Sequence, residues 1–367
     1  MGDNRNQILE EYVKERGTEV TYNHKLVKLI RSEEGDNRVT GAIFETLDGY
    51  IQIDAANVIL ATGGYAANRA MIRALQPVIN RCVTADGYSP SNEGDGIRAA
   101  MWVGARKDAD SAPMIFDRGA ILPGETAGYT SDGDDARFVS SYNAYGQLGL
   151  GSQPFMKVNR KGKRFANEST PYDFICFAAS EQPGGVWAQI LDSNCKEDVM
   201  RFSTIGCSKL MMMQLLRAEG GMDEAFAGEI ERGFIIKADT IEELATGLGF
   251  EGEAKDNFLA EVDRYNEFND KQKDEDFGKE AFRLSAIKEP PFYGCWYGGT
   301  LLTTIDGLTI NENLQVLDES IEPIEGLYAV GDCSGSLFSS NYPEYIVGCA
   351  CGRTITFGRQ VIKMLAQ

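Results

Sequence analysis

Histidine is almost absent from this chain: the single one is His24, in TYNHKL. One imidazole without a neighbouring cluster of Cys, Asp or Glu supplies no coordination sphere for a metal, so His24 reads as a surface or structural residue. Its scarcity also leaves proton transfer to Tyr, Cys, Glu, Lys, Arg or water. The eight cysteines, at 82, 176, 195, 207, 295, 333, 349 and 351, never stand in C-x-x-C spacing and form no C-x-x-C-H haem signature. They read as small buried residues of a reducing compartment. No apolar run approaches the length needed to span a bilayer, and the opening MGDNRNQILEEY lacks the basic-then-apolar layout of a signal peptide. The expectation is a cytoplasmic protein without membrane insertion. Positive charge is short as well: 36 Lys and Arg face 55 Asp and Glu, a net charge of −19, which argues against nucleic acid or an anionic membrane as partner. With 367 residues, 43% of them hydrophobic, the chain is globular in composition and longer than one ordinary core requires.

The most informative stretch is 326–359, GLYAVGDCSGSLFSSNYPEYIVGCACGRTITFGR. Leu327–Val330 is a short apolar run closed by Gly331-Asp332, the form of a strand buried on both faces of a parallel sheet. An acid at the carboxyl end of such a strand can accept hydrogen bonds from a ribose or ribityl hydroxyl, in the crevice where open α/β sheets hold ligands. Asp332 is the candidate. From Ile346 to Arg359 the chain reads as a helix whose small residues, Gly348, Ala350, Gly352 and Thr354, let its start lie close against a flat ligand. The same pattern also fits a strand, turn and helix that pack tightly for their own sake. Asn57–Gly64, NVILATGG, is a second buried strand ending in a double glycine, where backbone can approach a ligand without a Cβ in the way.

Elsewhere, residues 6–16 read as a helix stopped by Gly17, followed by strands at Glu19–Asn23, His24–Arg31, Val39–Thr46 and Tyr50–Asp54. From about 68 to 294 the pattern is irregular and glycine-rich, with helices at 94–104, 208–218, 240–247 and 253–270. Thr240 and Glu243 fit a capping box, and Phe258, Val262, Tyr265 and Phe268 share one helical face.

Five stretches in order, VILATGGYAAN (58–68), NEGDGIRAAMWVGA (92–105), VNRKGKRFANE (158–168), PPFYGCWYGG (290–299) and the 326–359 segment, resemble the flavoprotein subunits of fumarate reductase and succinate dehydrogenase, together with the related 3-ketosteroid Δ1-dehydrogenases. The resemblance covers nearly the whole chain. It implies an α/β fold with an α+β cap: an incomplete FAD-binding Rossmann-like domain (1–67), a substrate or capping domain (68–294) and a return to the FAD-binding domain (295–367). It implies FAD as cofactor, with contacts from Val27, Ala61, Thr62, Gly63, Gly64, Gly331, Asp332, Ile346, Val347 and Gly348. The family's opening G-x-G-x-x-G unit, which holds the ADP half of FAD, has no counterpart in residues 1–60. The expectation is a fragment, or a chain completed by a separate one that supplies that segment.

The resemblance also distributes chemistry. Glu168 ends the RFANE motif, where family fumarate reductases carry a glutamate of their proton relay. Tyr172 and Tyr342 stand where those enzymes have arginines, Thr303 where they have a histidine, and the region of Cys195 where their main acid arginine falls. Without guanidinium forks a site is poorly built for a dicarboxylate. In the ketosteroid dehydrogenases, tyrosines matching Tyr172 and Tyr342 handle a proton beside a ketone and polarise its oxygen, the latter together with a backbone N–H that here belongs to Ile346. Glu344-Tyr345 departs from the family's Gly-Pro in that loop. The implied reaction is flavin-dependent redox chemistry at a C–C or C=C bond conjugated to a carbonyl, on a small-molecule enone or ketone, possible partners being an electron-donor protein or the chain that completes the flavin domain. Two alternatives stand beside it: a non-catalytic subunit, and a dicarboxylate reductase using Arg164, Arg353 or Arg359. Asp117 and Asp173 read as caps or solvated turns, and Cys349 and Cys351 as packing residues.

Overall fold

The computed structural model describes residues 4–32, 37–133, 136–140, 147–203, 207–346 and 348–366. An α/β chain is organised around three sheets. Strands β1 (Lys25–Arg31), β2 (Val39–Thr46) and β3 (Gly49–Asp54) form the expected antiparallel meander. Strand β4 (Val58–Leu60), apolar at each position, pairs in parallel with β12 (Pro323–Ala329), and β11 (Gln315–Leu317) lies antiparallel on the far side of β12. Leu327 faces Val58 and Ala329 faces Leu60 in this ladder, which the Val330 N–H extends by donating to the Leu60 carbonyl at 2.9 Å. The two glycine-ended strands of the sequence therefore lie side by side.

The middle of the chain, which reads as irregular, is a six-stranded sheet of β5 (Val83–Asp86), β6 (Pro113–Ile121), β7 (Met156–Val158), β8 (Trp187–Leu191), β9 (Ile235–Ala238) and β10 (Phe292–Thr304). Its hub is β10, which pairs with β9 and β8 through its first half and with β6 and β5 through its second. The strand stays in this sheet beyond the expected boundary at 294. Its glycines mask it from period-two reading, yet they are what the packing needs: a Cβ on Gly298 would lie 2.4 Å from the Thr84 methyl carbon.

The helix Gly252–Lys271 buries Phe258, Val262, Tyr265 and Phe268 as its pattern requires, and Thr240 and Glu243 form the capping box of Ile241–Gly247. The expected strand at 19–23 does not form. Gly17 (φ 83°) and Asn23 (φ 58°) bracket it with left-handed backbone, and no neighbouring strand offers it a ladder. The expected helix at 208–218 divides into Cys207–Met211 and Met213–Arg217, with buried Met212 between them.

Gly64 joins two of these units. A Cβ there would lie 2.4 Å from Thr304 Oγ1 and 2.5 Å from the Thr304 carbonyl oxygen, at the end of β10, and the next residue donates its N–H to Thr304 Oγ1 at 2.9 Å. Contact with Thr304 by itself requires a glycine at this position. Gly64→Ala is expected to destabilise the fold by about 1–3 kcal/mol through overpacking; an unfolding midpoint equal to that of the parent protein would contradict this.

Candidate active site

Tyr172 opens the helix Tyr172–Ser180 and is 7% exposed. Its ring packs edge-on against Phe116, 5.2 Å between centroids, in a small apolar cluster with Ala112, Met114, Ile305 and Phe338. Tyr342 packs on the same cluster and tilts against Phe338. The rings share a neighbourhood, and the hydroxyls have different hydrogen-bond partners. Tyr172 OH is hydrogen-bonded to Ser208 Oγ, whereas Tyr342 OH accepts the Ala350 N–H at 3.4 Å, in the first turn of the helix Cys349–Leu365. The two phenols thus lie in one apolar cluster, with Ser208 and the Ala350 N–H as hydrogen-bond partners of their oxygens.

A cavity of about 30 Å3 beside Tyr172 is lined by Asp117, Glu168, Ser208, Arg283 and Glu344 among others. Its size suits a water or two, so a ring-sized substrate requires the walls to part. Exposed Tyr345 lies at its rim. The Tyr172 N–H donates to Glu344 Oε2 at 3.1 Å, which satisfies one of the helix's unpaired donors with a carboxyl from a distant loop. Asp117 sits in β6, fully enclosed, and accepts from Ser152 Oγ at 2.5 Å; Ser152 in turn accepts from Arg118 Nε at 2.5 Å. The Arg118 guanidinium lies over the Phe116 and Tyr172 rings, 4.5 and 4.9 Å from their centres. Burial pushes the Asp117 carboxyl above its ordinary range and lifts Asp173 to about 6. Both are buried groups beside Tyr172, not solvated turns. Periodicity could not have found them, because their burial depends on β6 lying inside a sheet that the sequence hides.

Glu168 is held differently. Arg164 Nε and Nη2 donate to its two oxygens at 2.7 and 2.8 Å, the Lys279 ammonium stands 3.5 Å away, and Arg164 also grips Asp274 at 2.8 and 3.1 Å. All four side chains are removed from solvent or nearly so. Burial opposes ionisation of Glu168, but Lys279 and Arg164 outweigh it and keep the carboxyl below its usual range. A clamped carboxylate of this kind fixes the floor of the cavity.

The Ile346 N–H, expected as an oxyanion donor, bonds here to the Pro343 carbonyl at 3.0 Å and closes a turn across Glu344 and Tyr345. Asp332 Oδ1 accepts from Arg353 Nη2 at 2.6 Å and Oδ2 from Thr303 Oγ1 at 3.1 Å. Gly331 and Gly348 both take positive φ, 70° and 73°; the nearest atoms to a Cβ on Gly331 would be 3.6 Å off, and a Cβ on Gly348 would meet nothing within 4 Å. Val347 lies outside the described residues. Ala61 and Thr62 are exposed at the end of β4, while Gly63 takes φ 73° with Asn92 Oδ1 2.8 Å from its would-be Cβ. Thr62 lines a cleft of about 540 Å3 together with Leu26, Phe44, Val58 and Ile59. Val27 is half-buried at a bulge between Leu26 and Lys28, beside this cleft rather than in its wall. Among the described residues, no group of three or more His, Cys, Asp or Glu side chains could hold a metal ion, and no helix is long and apolar enough to cross a membrane.

Glu168→Gln would leave Arg164 and Lys279 buried with one fewer negative partner. The expected loss is about 3–5 kcal/mol of unfolding free energy, the range for breaking a buried ion pair, read from denaturant unfolding; a loss below about 1 kcal/mol would show the cluster to be better solvated than its burial indicates.

The chain is 28% identical to a vinyl phenol reductase of Lactiplantibacillus plantarum over 90% of its own length and 65% of that protein's. It is 27% identical to a probable fumarate reductase of Shewanella frigidimarina over 96% of its length and 51% of that protein's. Among solved structures, the 3-ketosteroid Δ1-dehydrogenase of Sterolibacterium denitrificans superposes with a TM-score of 0.69 at 25% identity, covering 98% of this chain and 62% of that one. The chain thus spans between half and two thirds of the length of these relatives. Residues 2–344 match the family described as FAD binding domain, and the chain belongs to that family.

Proposed function

We propose that this chain is the capping and flavin-facing part of an FAD-dependent oxidoreductase that acts on a C–C or C=C bond conjugated to a carbonyl. The observation that carries the reading is the buried Tyr172 phenol at a cavity whose walls are rich in carboxyl groups. Asp117, Glu168 and Glu344 face it with Arg283, a lining of carboxyls, with Glu168 already paired and Asp117 and Glu344 raised by burial, that suits a neutral or singly charged enone or ketone. The three arginines of the dicarboxylate alternative are engaged or remote: Arg164 holds Glu168 and Asp274, Arg353 holds Asp332, and Arg359 is exposed on the last helix. The vinyl phenol reductase and ketosteroid dehydrogenase likenesses point the same way, since neither name requires a dicarboxylate.

FAD, when bound, supplies the hydride acceptor or donor. Gly348, with open space where a side chain would stand, and Gly331, where a Cβ would make ordinary contact with Thr354, fit its flavin end, and Asp332 and Thr303 offer oxygens beside them. In this reading Tyr172 moves the proton next to the carbonyl, Ser208 orients its hydroxyl, and Arg118 lies over the ring. Tyr342 donates to the ketone oxygen. Its acceptance of the Ala350 N–H strengthens that donor by polarisation.

A second reading, a subunit active only with a further FAD-binding segment, is favoured by three open surfaces among the described residues. Strand β4 pairs on one edge only. The helix Cys349–Leu365 buries just Arg353 and Val361, and the helix Arg5–Lys14 buries nothing. A partner that adds a strand to β4 would cover apolar Val58 and Ile59 and reach the cleft beside them.

Both readings meet in one experiment. The purified chain is mixed with FAD, then with reductant and an enone or with a saturated ketone, and flavin absorbance is followed. Turnover that falls about 10²–10⁴-fold in Tyr172→Phe supports the first reading. A protein that stays colourless with FAD favours the second, and a coloured protein indifferent to every enone and ketone defeats the first.

A further inference from the structure

Glu344 occupies a position that the reaction above leaves without a task. The turn closed by Ile346 N–H and the Pro343 carbonyl presents Glu344 to the cavity, with Tyr345 at the rim, 58% exposed. Glu344 therefore stands between solvent and the Tyr172–Ser208 pair, tied to the Tyr172 backbone at 3.1 Å. We propose that Glu344 is a proton-exchanging residue of this site, passing a proton between solvent and the cavity that it lines with Tyr172 and Ser208. The assignment rests on the reaction proposed above.

The balance is simple. In the reducing direction Tyr172 gives its proton to the substrate carbon, and the Glu344 O–H bond breaks to restore the phenol, through Ser208 or a water that the cavity can hold. The two electrons arrive with the hydride, so Glu344 changes only in charge, from neutral to −1, and water reprotonates it. Dehydrogenation runs the same exchange backwards.

The groups facing Glu344 set the pH at which this works. Burial raises its carboxyl to about 7; Asp117 on β6 and Asp173 on the Tyr172 helix add to the rise, while the Tyr172 N–H and Arg118 oppose it. Glu168 and Arg283 complete the charged lining. Reduction needs the protonated form and should slow as pH rises through about 7. Dehydrogenation needs the carboxylate and should quicken over the same interval.

The test uses the purified full chain with FAD added, in parent, Glu344→Gln and Glu344→Asp forms. The amide oxygen of Gln can still accept the Tyr172 N–H, so the helix start is kept. Infrared difference spectra between pH 5.5 and 8.5 are expected to show a protonated-carboxyl band that titrates near 7 in the parent and is missing in Glu344→Gln. Enone reduction in Glu344→Gln is expected to slow about 10²-fold and lose its pH limb, with part of the rate and a shifted limb returning in Glu344→Asp. Persistence of the band in Glu344→Gln, or an unchanged rate and limb, overturns the assignment. A parent protein that turns over no enone or ketone defeats the reaction instead, and the infrared band then decides whether Glu344 exchanges its proton.

Discussion

The parallel ladder between β4 and β12 is the constraint on which the placement of the two glycine-ended strand termini depends. Two short apolar strands from opposite ends of the chain meet there, and the Val330 N–H and Leu60 carbonyl bring the 61–64 and 331–332 segments side by side. Long-range pairing of this kind must be offset by burial, because closing so large a loop is entropically costly. The apolar cluster that includes Leu60, Leu327, Ala329 and Cys333 supplies that burial. Gly64 then lets the end of β4 lie against the end of β10, so the ladder and the middle sheet share one fixed corner.

From that corner the polar groups of the site divide into two kinds. Glu168, Arg164, Asp274 and Lys279 are mutually satisfied, and their charges are fixed by short contacts in a dry interior. For Asp117, Asp173 and Glu344 burial is instead the largest influence, and it raises their carboxyls. One set provides a rigid floor. The other holds carboxyls that burial raises, the setting that the proposed proton exchange uses.

Much of this was legible in the residues. Leu327–Val330 and Asn57–Ala61 announce buried strands by composition, and the parallel pairing and the family follow from them. The amphipathic helix at 253–270 and its neighbour's capping box are local patterns, satisfied by contacts within a few turns. By contrast, β10 was hidden by its glycines, and the chain at 19–23 failed to become a strand for want of a partner. Asp117 and Asp173 looked like ordinary polar residues because nothing local reveals that β6 and the Tyr172 helix are enclosed.

The sequence by itself determined the elements whose causes are near at hand: apolar runs ended by glycine, helical stripes, caps, the lack of imidazole, and the motifs that mark the family. Tertiary structure alone decided where each hydrogen bond goes. It turned the Ile346 N–H to Pro343, sent the Tyr172 and Tyr342 hydroxyls to different partners, and set Glu344 against the Tyr172 helix. The reason is physical: a donor or a carboxyl takes its chemical character from the dielectric and the partners around it, and those are assembled only when distant segments pack.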